Sequence, residues 1–341
     1  MRFFLPLLLA SSVSQAEGVF AELDWLASSE PVPLHSMLYG WDSSFQGGDN
    51  AYADLQRRLG FEFDVGALQA HIAWQQREYY ALRFNAATAR FYRDLEQGDD
   101  HQGEGRLQLA VEQFRSEGLR LGVAFDVDGW RLEPRVSLFQ ISDFQFGQLR
   151  GVIRDGQASS TLDYAFNDDK ILDYQADVPT GQGASLDLAV SKAWQQWRLD
   201  FEVRDGWNRL WLQDAAFTEG CINFGDAGTR VCNSDGLASG RSGQRDRTER
   251  IASRYQLALA YQDWQLQLLH HDRYQRLGVR KHWRWPGAGK WLTALYTDKQ
   301  WQLGWQGTVW QQRLQVSVLA DDIRPHFVRQ TQLQLAWSYQ W

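Results

Sequence analysis

The sequence predicts an all-β fold, a transmembrane antiparallel up-and-down β-barrel. Three observations predict it. Apolar and polar residues alternate with period two along the chain, tryptophan is abundant in a chain of polar average, and no stretch beyond the N-terminus resembles a membrane helix.

The N-terminus reads as a secretory signal. Arg2 is a minimal basic region, Phe3 to Ala10 is apolar apart from Pro6, and Ser14-Gln15-Ala16 places small residues where a signal peptidase inspects the chain. Eight apolar residues are too few to cross roughly 30 Å of hydrocarbon as a helix. Residues 1–16 are therefore expected to be removed, leaving 17–341 as one barrel domain with no globular domain before or after it.

Alternation is cleanest at the C-terminus. Leu333, Leu335, Trp337, Tyr339 and Trp341 fall on one face, with Gln330, Gln332, Gln334, Ala336, Ser338 and Gln340 on the other. Trp301, Leu303, Trp305 and Val309 alternate with Gln300, Gln302, Gln306 and Thr308. Further upstream, Trp197, Leu199, Phe201 and Val203 alternate with Arg198, Asp200, Glu202 and Arg204. A soluble sandwich also alternates. Here, however, the polar face is often charged, the apolar face ends in aromatics beside the turns, and the pattern persists without a helical segment. The 17 tryptophans fit girdles at two lipid–water interfaces, and a mean hydropathy of −0.48 is what lipid-facing and lumen-facing residues average to.

The terminal run Leu333-Gln334-Leu335-Ala336-Trp337-Ser338-Tyr339-Gln340-Trp341 resembles the last strand of Gram-negative outer-membrane barrels, which the barrel-assembly machinery reads. The resemblance identifies a class and no particular porin, transporter or barrel enzyme. It implies the outer membrane as location, outer-membrane lipid and lipopolysaccharide as surroundings, and the assembly machinery as a partner through the C-terminal strand. A net charge of −7, or −8 once the signal's Arg2 is removed, argues against nucleic acid as a partner.

Short connections with aromatic flanks recur at Phe125 to Trp130, Trp194 to Trp197, Tyr261 to Trp264 and Trp310 to Gln312. Polar ones run from Glu96 to Gly105, from Phe166 to Gly183 and, longest of all, from Gln213 to Arg250, a predicted large extracellular loop. With the C-terminus in the periplasm, counting strands puts the short turns inside and the long loop outside. Strands of about ten residues then allow roughly 16 to 18 in the barrel, with 14 also permitted. The first convincing strand begins at Leu59; Val19–Trp25 and Leu34–Trp41 are weaker strand candidates. Cys221 and Cys232, close together in one polar segment of an exported chain, are expected to form a disulfide.

The polar residues suggest two kinds of chemistry. Arg276, Arg280, His282 and Arg284 share one strand face and, with Arg198, Asp200, Glu202 and Arg204, are candidate lumen-lining residues. As a basic ladder the first four bind or pass anions; alternatively they pair with acids such as Asp200 and Glu202 in a salt-bridged wall. Lys281 breaks the apolar face of the same strand, as a side chain snorkelling at an interface does. His270-His271-Asp272, Asp321-Asp322, Asp168-Asp169 and Asp99-Asp100-His101 lie in connections where carboxylate–imidazole pairs serve hydrolases, though no surrounding motif of a barrel hydrolase accompanies them. No catalytic residue, cofactor or metal set is assigned. The leading expectation is a porin-like channel or passive transporter for small polar solutes, followed by a surface-exposed structural or adhesion barrel and then by an outer-membrane hydrolase. An open lumen favours the channel, and one plugged by salt bridges and loops favours the structural barrel.

Overall fold

A computed structural model describes residues 16–41, 44–101, 103–154, 157–169, 174–175, 181–224, 238–285 and 289–341. The expected signal, apart from Ala16, lies outside them. Fourteen strands form one closed antiparallel barrel. They are β1 (Ala16–Ser29), β2 (Asn50–Val65), β3 (Leu68–Phe84), β4 (Gly105–Val127) and β5 (Trp130–Arg154). Next come β6 in two segments (Gln157–Phe166 and Gly181–Trp194), β7 (Trp197–Phe224) and β8, again in two segments (Ala238–Glu249 and Arg254–Tyr261). The circuit finishes with β9 (Trp264–His271), β10 (Tyr274–Trp285), β11 (Gly289–Tyr296), β12 (Trp301–Val309), β13 (Gln312–Ala320) and β14 (Gln330–Gln340). Each pairs with the next, and β1 closes on β14 from Gly18 opposite Gln340 to Ser28 opposite Gln330.

The count settles at fourteen because several strands far exceed the assumed ten residues. β4, β5 and β7 run for 23, 25 and 28 residues, whereas about 9–11 suffice to cross. Their surplus stands outside the membrane as a curved wall. Much of the expected 213–250 loop belongs to that wall: the upper part of β7 and the first segment of β8 pair from Leu210 opposite Glu249 to Ile222 opposite Ala238. Val19–Trp25 falls in β1, and Asn50 rather than Leu59 begins β2.

Two helices correct the expectation of an all-strand chain. Leu34–Tyr39 forms α1, not a strand, and Ala86–Gln97 forms α2. α2 is written in the sequence by its ends: the Asn85 side chain accepts the Thr88 N–H at 2.8 Å, and Gly98 closes the helix at φ 69°. Both lie at the end opposite the tight turns. At the tight end, Asp128 and Gly129 both take positive φ (51° and 76°), the turn whose twist matches its strands.

The barrel's outer surface is apolar. Leu59, Phe61, Leu121, Leu138, Leu266, Val279, Leu303 and Val318 all stand exposed on it. Aromatics ring the tight-turn end: Trp197 packs on Tyr261 with centroids 4.6 Å apart, and Tyr339 on Trp341 at 5.9 Å. Lys281, the break in an apolar face, lays its ammonium over Trp283 at 4.0 Å and Trp264 at 4.7 Å. A closed barrel leaves no strand edge in lipid, so every backbone amide at membrane depth is paired within the wall.

Closure sets a first test. Cysteines introduced together as Leu23→Cys and Leu335→Cys, register partners across the β1–β14 seam, should cross-link on mild oxidation and shift the denatured band in electrophoresis. Failure to cross-link, with Leu23→Cys and Leu333→Cys joining instead, contradicts this register.

Candidate functional site

The lumen is the candidate site, and it is narrower than fourteen strands require. Strands about 4.8 Å apart and tilted about 40° enclose a round barrel roughly 28 Å across. An arginine and an aspartate span only about 13 Å between backbones. Yet Arg254 on β8 meets Asp24 on β1, seven strands away, at 3.2 Å. Tyr52 on β2 and His271 on β9, also seven strands apart, hold their rings 4.2 Å from each other. The cross-section is therefore flattened, and opposite walls touch through single pairs of side chains.

A belt of ion pairs occupies this waist. Asp24 accepts from Arg204 at 2.8 Å, from Arg254, and from Gln332 at 3.1 Å. Asp54 takes a fork from Arg77 (2.9 and 3.1 Å), whose other nitrogen reaches Asp205 at 2.9 Å. Arg120 meets Asp187 at 2.6 Å, and Glu202 joins Arg135 (2.7 Å) to Arg204 (3.2 Å). Asp54, Arg77, Asp205 and Arg254 are almost wholly buried. Local geometry aims Asp205 inward. β7 bulges by two extra residues between Val203 and Trp207, Asp205 sits at φ 55°, and its N–H bonds Asp187 at 2.7 Å. The facing break in β8 is closed by Asn208, whose amide bonds both the N–H and the C=O of Ile251 at 2.9 and 3.0 Å.

Above the belt, toward the long connections, Leu26, Tyr79, Phe114, Phe146, Leu210 and Ile251 form an apolar seal. Below it, toward the tight turns, three polar cavities open. One of about 270 Å³ is lined by Arg131, Glu133, Arg135, Arg198, Asp200 and Glu202, and one of about 100 Å³ by Glu22, Arg58, His71 and Arg120 among others. A third, about 450 Å³, lies against Arg198, Asp200, Arg280, His282, Arg284 and Lys290.

Of the residues singled out in the sequence, Arg198, Asp200, Arg280, His282 and Arg284 line the third cavity and Glu202 the first, and the partners of the basic ladder differ from the pairing with Asp200 and Glu202 that the sequence offered. Asp200 binds Arg198 at 2.9 Å, and Glu202 is held by Arg135 and Arg204. Arg276 bonds Gln332 at 2.8 Å, Arg280 bonds Gln302 at 2.9 Å, and Arg284 stands 3.5 Å from Asp263. Sequence reasoning missed Asp24, Asp54, Arg77, Asp205 and Arg254. The only local signal was the lapse of alternation at Arg204-Asp205-Gly206.

The acid and histidine clusters are taken up in structure. His271 is buried, its Nε2 3.1 Å from the Tyr79 hydroxyl; Asp272 pairs with Arg83 at 3.0 Å; His270 faces Tyr255. Asp321 accepts the Arg329 and Gln330 N–H groups, and the Arg324 guanidinium holds the Asp322 carboxyl down at about 2. The side chains of Asp168 and Asp169 lie outside the described residues, as does Cys232 and with it the expected disulfide. His101 bonds Asp94 of α2 at 2.6 Å. Among the described residues no group of three or more His, Cys, Asp or Glu is placed to hold a metal.

An apolar outer band, aromatic rims, a polar interior and full closure define a β-barrel of the Gram-negative outer membrane. No family model matches the chain, and no curated relative does. Among solved structures it is similar to the Pseudomonas putida toluene transporter TodX (11% identity, 95% of this chain, 89% of that one, TM-score 0.32). It is also similar to the beta domain of the Bordetella autotransporter Brka (12%, 96% and 100%, TM-score 0.35) and to a Pseudomonas aeruginosa FadL homologue (9%, 96% and 90%, TM-score 0.28).

Two predictions follow from this geometry. Asp24→Ala leaves Arg204 and Arg254 buried without their shared acceptor, so urea unfolding in vesicles should show a loss of about 3–5 kcal/mol, partly recovered by adding Arg254→Met. A pH effect is expected outside the membrane. Burial pushes the Asp94 carboxyl up, but hydrogen bonds from His101 and Arg93 outweigh it and hold it below the usual carboxylate range. A depressed folded value stabilises α2 in full above about pH 4 and ceases to do so as pH falls below. Emission from Trp41, which packs on Tyr92 of α2, should change in that window, and in Asp94→Asn the window should vanish.

Proposed function

We propose that this protein is a surface-exposed structural or adhesion barrel, closed to solutes at rest, that works through its extracellular wall. One observation carries the reading: buried ion pairs bridge the lumen from β1 to β7 and β8. Breaking one buried pair costs about 3–5 kcal/mol, and a path through the waist breaks several. The tall strands β4 to β8 supply a surface well beyond what crossing the membrane needs. To the same proposal belong export by the N-terminal signal, a Cys221–Cys232 bond near the wall's tip, lipopolysaccharide around the outer rim, and delivery through the β14 strand to the assembly machinery.

The three cavities below the belt favour a second reading, a passive transporter for small polar solutes that opens only on a signal. Planar-bilayer recording separates the two. The refolded protein should show no stable conductance steps, while a tag inserted after Ser239 should be reachable on intact cells. Sustained steps from the wild type would overturn the closed barrel and restore the porin-like channel; steps that appear only under applied voltage would favour the gated transporter.

A further inference from the structure

The lumenal arginines divide into two populations. From β2 to β8 most meet a carboxylate: Arg58 on Glu22, Arg77 on Asp54 and Asp205, Arg120 on Asp187, Arg135 and Arg204 on Glu202, Arg254 on Asp24, while Arg131 bonds Gln69. On β10, Arg276 and Arg280 have no acid partner among the described residues. Arg280 is held by amide and phenol oxygens alone, Gln302 at 2.9 Å, Tyr296 at 3.4 Å and Gln265 at 3.5 Å, and its buried Nε has no partner. One step deeper, Arg276 is 5% exposed; one nitrogen bonds Gln332, the other bonds nothing, and the guanidinium lies 4.8 Å over the Tyr296 ring. Toward the periplasm, Arg284 stands directly across the ladder from Lys290, two like charges in register with Asp263 as the nearby acid.

Like charges directly opposite on a sheet destabilise it, and a buried cation without a counter-charge destabilises it more. Asp200, the other acid lining this cavity, is engaged by Arg198. The vestibule thus carries an excess of positive charge around about 450 Å³ of open space, within the range of a small-molecule site. A Cβ at Gly304 would lie 2.9 Å from the Ser317 side chain, and Gly304, Gln306, Gln315 and Ser317 continue the lining on the neighbouring strands β12 and β13.

We infer that this periplasm-facing vestibule is a binding site for a small multivalent anion bearing phosphate or carboxylate groups. Arg280 and Lys290 supply its principal charges, with Arg284 and His282 at the mouth. A guanidinium fork matches either oxyanion, whereas Lys290 contributes a point charge. The volume suits a compact di- or trianion and excludes a polymer. Binding here requires no passage through the belt, so the inference stands whether or not the lumen conducts.

Titration calorimetry of the refolded protein in a neutral detergent tests it, with pyrophosphate and citrate as separate probes at low salt. Saturable binding of either is expected, with a rise in melting temperature. The Arg280→Gln/Lys290→Gln pair should weaken it at least about tenfold, the effect of losing charge-assisted hydrogen bonds. Arg324→Gln, on the extracellular side, should leave it unchanged, and heat-modifiable migration will show that each variant is folded. Absence of saturable binding by both probes overturns the site. So does undiminished binding in the folded double variant, which would place the anion elsewhere.

Discussion

Everything in this barrel is arranged around one carboxylate that two arginines share. Asp24 reaches from β1 into a lumen that a round cylinder would leave too wide to cross, and Arg204 and Arg254 come to meet it from the far wall. Charges buried so deeply are tolerable only when each is met by a counter-charge and hydrogen bonds. The walls must therefore approach until they are, and the barrel flattens. The bulge in β7 and the break in β8 follow from the same requirement, because an ordinary ladder leaves Asp205 on the wrong face to meet Arg77.

The flattening also sorts the lumen by depth. Where the walls approach on the side of the long connections, aromatic and aliphatic groups fill the space between them. Toward the tight turns the walls diverge and the polar side chains no longer span the gap. Cavities appear there because the ion pairs lie along one wall, as in Arg198 with Asp200 and Arg135 with Glu133, and leave the space between the walls unfilled.

How much of this was legible beforehand depended on whether the signal was local. Period-two alternation, the aromatic rims and the terminal Trp341 are properties of single strands, and they specified a membrane barrel without any knowledge of its cross-section. α2 was equally local, in Asn85 and Gly98, but its polar composition resembled a loop. The tall wall was misread because β7 continues outward as Ala215-Ala216-Phe217-Thr218 and β8 as glycines, serines and arginines, residues no lipid selects. That Arg276, Arg280 and Arg284 share one strand face follows from parity, and their neighbours do not. Of the belt, Glu202 and Arg204 were marked by alternation, but nothing around Asp24 or Arg254 in the chain distinguishes a residue that touches the opposite wall from one that faces water.

The unequal heights of the strands bear on the lipid as well as on the cell surface. β9 and β11 have only eight residues each, about 20 Å along the membrane normal at the usual tilt, against a hydrocarbon core of about 30 Å on average. On that flank the bilayer must thin to meet the wall, while beside β4 and β5 it need not. The strained, shortened lipid is a cost that another protein's surface can relieve by taking its place. The barrel accordingly has a front and a back within the plane of the membrane, with β9 and β11 on its short side and β4, β5 and β7 on its tall one.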